Sequence, residues 1–64
     1  MFVEFTKKQV DGSLVKICIN TAHIIMFRHS YQGTYIELAN RDDESINYIM
    51  VEEDYETVKR SVNA

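Results

Sequence analysis

Between Phe2 and Val51 apolar residues recur mostly at every second position. From Glu53 to Val62 they switch to helical spacing, with Tyr55, Val58 and Val62 on one face. A chain patterned this way builds one sheet and one helix that covers part of it. With 64 residues in total, little is left for a catalytic apparatus. A core of that size supplies roughly 3–5 kcal/mol of net stability, and small domains commonly add a disulfide, a metal or a partner. Cys18 is the only cysteine, so a disulfide within the chain is excluded. Cys18, His23 and His29 lack zinc-site spacing. Association is the supplement that remains.

The strands follow from alternation and turn chemistry. Val3 and Phe5 alternate with Glu4 and Thr6, which predicts a first strand at about residues 2–8. Asp11-Gly12 is a two-residue hairpin signal, because both central positions of such a turn need positive φ. A second strand is expected at about residues 14–20, with Val15, Ile17 and Ile19 on one face. Asn20-Thr21-Ala22 breaks the pattern, and a third strand is expected from His23 to Ser30. Tyr31-Gln32-Gly33-Thr34 reads as the next turn. A fourth strand at about residues 34–39 puts Thr34, Ile36 and Leu38 on one face, with Tyr35 and Glu37 on the other. The polar, acidic stretch 40–45 predicts an exposed hairpin loop. A fifth strand, at about residues 46–51, sets Ile46, Tyr48 and Met50 against Ile49 and Val51. Glu52 to Asp54 would open the helix, acids being favoured at its positive N-terminal end and Lys59 and Arg60 near its last turn.

The expected fold is α+β: a small antiparallel five-stranded sheet with one C-terminal helix, all in one domain over residues 1–64. One helix cannot cover both faces of such a sheet. Either the sheet curls into a half-barrel, or another subunit covers its second face. The third and fifth strands are apolar on both faces, which makes them the source of any interface. Ile24, Met26, Tyr35 and Tyr48 are the candidate protein-interaction residues. Ile17, Ile19, Ile25, Phe27, Ile36, Leu38, Val58 and Val62 are the candidate core. A one-residue shift of the third strand would swap its two sides.

Chemistry-bearing constellations are sparse. Cys18 on a strand, with His23 beyond a break, makes no nucleophile–base pair by spacing, and a small apolar role at a half-buried position is the expectation. His23 and His29 stand about 20 Å apart along a strand, too far to share a metal. Asp42/Asp43 and Glu52/Glu53 lack a calcium-loop pattern and read as solvated acids. No catalytic, metal or cofactor residue is expected, and the chain is not expected to be an enzyme. Net charge is −3 and the basic residues are scattered, which disfavours a nucleic-acid partner. Tyr31, Tyr35 and Tyr48, with Phe27 nearby, suit a protein interface better than a base-stacking platform, which needs a positive groove. No apolar run reaches the ~20 residues of a membrane span. The N-terminal segment lacks the pattern of a signal peptide, and a lone cysteine suits a reducing compartment, so a cytoplasmic location is expected.

Val3-Glu4-Phe5-Thr6, Asp11-Gly12, Ile19-Asn20, His23-Ile24, Gly33-Thr34-Tyr35-Ile36-Glu37-Leu38 and Val51-Glu52, followed by Tyr55, Glu56 and Val58, run in an order that resembles the FlbD family of small flagellar and swarming-motility proteins. The resemblance spans nearly the whole chain. It departs at the turn before the fourth strand, where proline is absent, and at the loop Arg41-Asp42-Asp43-Glu44-Ser45, which replaces a short turn. It implies a non-enzymatic accessory protein, with no catalytic residues to carry over. Residues 23–62 are also faintly similar to the middle of a LytTR-type DNA-binding domain. The expected function is a non-catalytic protein-interaction or structural accessory module, whose partner is itself or a different protein. The alternative is a small transcription regulator that binds nucleic acid or a transcription protein.

Overall fold

The computed structural model describes residues 1–39 and 46–64. The expected loop over 40–45 and the facing of the Ile46 side chain lie outside the described residues. Strands β1 (Phe2–Lys8), β2 (Leu14–Asn20), β3 (Ile24–Ser30), β4 (Gly33–Ala39) and β5 (Ile46–Val51) precede one helix, α1 (Tyr55–Val62). A single 3₁₀ turn, Thr21–His23, joins β2 to β3. The strands form one antiparallel sheet in the order β2-β1-β5-β4-β3. This is the expected α+β fold.

The sheet cannot be flat. β2 and β3 occupy opposite edges, which a flat sheet would hold about 19 Å apart at four inter-strand spacings. Yet Asn20 and Ile24 are joined through three residues, a reach of at most about 15 Å and much less in a 3₁₀ turn. The sheet therefore curls, and its two edges approach at the Thr21–His23 end without pairing. Asn20 caps that turn, accepting a hydrogen bond from the Ala22 amide at 3.1 Å. On the opposite side β1 and β5 meet only at Lys7 and Val51, extended by one bond from the Glu52 amide to the Thr6 carbonyl at 2.8 Å.

The concave side holds the core. Phe5, Ile19, Ile36, Val51 and Val58 are buried, and Val3, Ile17, Ile24, Phe27, Leu38, Ile49 and Val62 pack against them. α1 lies against β3 and β4, where Tyr55 meets Phe27 with ring centroids 5.5 Å apart. Two expected facings are corrected. Ile25, expected in the core, is 51% exposed, while Ile24, expected on the open face, packs inward. The cause is a β-bulge: β3 advances from Ile24 to Met26 while β4 moves only from Leu38 to Glu37. The extra residue changes the parity of the strand, so Ile24 and Phe27, three positions apart, both face the core. Cys18, expected half-buried, is exposed.

The first hairpin also differs from the two-residue turn read at Asp11-Gly12. The Gly12 amide donates to the Gln9 carbonyl at 3.0 Å and the Gln9 amide to the Ser13 carbonyl at 2.7 Å. Val10 and Asp11 are thus the central residues, and Gly12, at φ +91°, follows them as the left-handed residue of a longer loop. Asp11 accepts from the Ser13 hydroxyl at 2.7 Å and the Ser13 amide at 2.9 Å, bonds that hold its carboxyl below the usual carboxylate range.

The acids before α1 divide their work. Asp54 is the N-cap, accepting from the Thr57 amide at 2.8 Å, and bonds from Thr57 lower its pKa. The helix accordingly starts at Tyr55, two residues later than the spacing predicted. Glu53 does not stay in solvent. Its carboxylate accepts from the Thr6 amide at 2.9 and 3.1 Å and from the Thr6 hydroxyl at 2.9 Å. Its own carbonyl accepts from the buried Thr34 hydroxyl at 2.8 Å. A side chain thereby continues the short β1–β5 ladder, 47 residues apart in sequence. Bonds of this charged kind stabilise by about 1.5–3 kcal/mol. Glu53→Ala should lower stability by about 2 kcal/mol in urea titration, whereas substitution of the exposed Glu52 should change little. Equal midpoints for the two variants would show the latch to be dispensable.

Candidate functional site: the outer face of the sheet

Alternation places one set of side chains on the convex side of β3, β4 and β5. The ladder sets Met26 opposite Glu37 and Glu37 opposite Tyr48 in one row. The neighbouring row runs Arg28, Tyr35, Met50. Tyr35 and Tyr48 sit diagonally and touch edge to face, with centroids 6.1 Å apart and planes at 86°. The Arg28 guanidinium carbon lies 4.9 Å from the centre of the Tyr35 ring. Such contacts hold large side chains in place on an open surface. Tyr48 remains 59% exposed and Met26 42%.

Of the four expected interface residues, three come together here: Met26, Tyr35 and Tyr48. Ile24 does not, because the bulge turns it inward. Ile25 stands exposed beside Met26 in its place. Two members were not singled out in sequence. Arg28 could have been found by counting two residues on from Met26, and Met50 by counting two on from Tyr48. Tyr31 lies in the β3–β4 turn, 90% exposed, and Phe27 faces the core, so neither belongs to the patch.

The remaining chemistry-bearing residues are dispersed. Cys18 is exposed on β2 opposite Glu4. His23 ends the 3₁₀ turn, and His29 is exposed on β3 opposite Thr34. Among the described residues, no three His, Cys, Asp or Glu side chains gather as metal ligands would, and no helix is long and apolar enough to cross a membrane. Comparison of the chain with protein-family models, with curated proteins and with solved structures gives no match.

Proposed function

We propose that this chain is a non-catalytic protein-interaction or structural accessory module, and that it engages its protein partner through the outer face of β3–β5. The observation that supports this reading is the group of exposed Met26, Arg28 and Tyr48 with half-buried Tyr35 and Met50 on one sheet surface. Tyr, Met and Arg are the residue types enriched where proteins meet, and they bury much area at modest entropic cost. The cytoplasmic setting rests on the fit of an exposed lone thiol to a reducing compartment. The motility context rests on the FlbD resemblance alone.

The test is comparative capture from the native host. The immobilised chain should retain a protein that a Tyr48→Arg variant releases, with affinity lower by about thirtyfold or more, as for an interface hot spot. Tyr48 is largely solvent-exposed and loses only its edge-to-face contact with Tyr35, so the variant should stay folded, with its urea midpoint only modestly lowered. Retention that is indifferent to Tyr48→Arg would place the interaction elsewhere and overturn the proposal.

A further inference from the structure

We infer that the occupant of this face is a second copy of the chain, related by a two-fold axis that sets Arg28 of each copy against Glu37 of the other. The inference rests on the protein-interaction reading and names its partner. The two central rows of the face hold one cation and one anion on a diagonal: Arg28 is opposite Tyr35, and Glu37 lies two residues further along β4, opposite Met26. Diagonal neighbours on one face are about 7–8 Å apart. An axis lying in the interface and crossing the middle of that diagonal at right angles exchanges its ends. Each Arg28 then meets a Glu37 and each Glu37 an Arg28, so the patch complements itself as an isologous contact requires.

The rest of the face agrees with that placement. The same axis runs beside Tyr35, which brings the two Tyr35 rings together at the centre. It also makes the strands of the two sheets cross steeply, in the orthogonal class of sheet packing. Arg28 is already held over the Tyr35 ring, so its charge is positioned before association. A different protein would have to supply both an acid and a base on the matching diagonal, and a second copy carries both. Among the described residues five apolar side chains are buried, a small core that gives the chain a stability to gain from covering its other face.

Sedimentation equilibrium over a wide concentration range tests this with four samples: the unaltered chain, Arg28→Glu, Glu37→Arg, and an equimolar mixture of the two variants. The unaltered chain should dimerise. Each single variant places like charges opposite one another twice, and should dimerise at least about tenfold more weakly. The mixture should recover dimers, because a mixed pair re-forms both contacts, one as Arg28 against Glu37 and the other with the charges reversed. A monomeric unaltered chain, a dimer insensitive to Arg28→Glu, or a mixture no tighter than its components would each overturn the inference. Circular dichroism of the variants checks that they fold, both side chains lying outside the core. A monomeric chain leaves the protein-interaction reading to the Tyr48→Arg capture, so the two failures are told apart.

Discussion

Phe5→Ala is expected to leave most of the protein unfolded at room temperature. Phe5 is 1% exposed and lies on β1 opposite Ile17, in the same core as Ile36, Val51 and Val58. Truncating a buried phenylalanine costs about 3–5 kcal/mol, from lost transfer energy and from the cavity left behind. That equals roughly the whole net stability of a domain this small. The informative control is on the same strand. Phe2 is 69% exposed, so Phe2→Ala removes the same atoms from a site where they are mostly wet. Its urea midpoint should lie much closer to that of the unaltered chain. Similar losses for the two variants would mean that the core is not centred on Phe5.

Gly33→Ala should be comparably damaging for a different reason. Gly33 has φ +142°, a backbone conformation that side-chain-bearing residues rarely adopt. A methyl group there would also run into the carbonyl of Val51 and approach the Cα of Glu52. These are backbone atoms of the neighbouring strand and its exit, which cannot rotate aside. Strain of about 1–3 kcal/mol from the dihedral and a similar amount from overpacking would together exceed what the fold can absorb. Gly12 separates the two contributions. It also has positive φ, but nothing lies within 4 Å of where its Cβ would stand. Gly12→Ala should therefore show the dihedral cost alone, and the difference in denaturation midpoints measures the collision. Equal effects would show that β4 and β5 yield at Gly33.

Element existence and type were readable because each strand carried its own alternation and each end its own punctuation. Tyr35, Ile36, Leu38 and Tyr48 face as their parity demands. β3 is where parity fails. Four consecutive apolar residues, Ile24 to Phe27, contain no polar residue to mark a side, and the bulge between Ile24 and Met26 leaves no local trace. Ile24 and Ile25 therefore exchanged roles. The part of Glu53 was hidden for another reason. In sequence it is one acid among three, and its partner Thr6 is an ordinary strand residue at the far end of the chain. Only the strand order that sets β5 beside β1 makes the pair. Arg28 was overlooked because a charge beside apolar neighbours reads as solvated until a ring is found beneath it.

The short link between β2 and β3 has a consequence for how the molecule avoids polymerising. A flat five-stranded sheet offers two outward rows of free N–H and C=O groups, each a template on which another chain can add a strand. Here the Thr21–His23 turn draws both of those flanks toward a single gap. The bulge at Ile25 further disrupts one flank, and Lys16 places a charge on the other. Open-ended growth into fibres is thereby discouraged at the backbone. The proposed adhesive surface is instead a face, and contact through a two-fold face is satisfied after one addition.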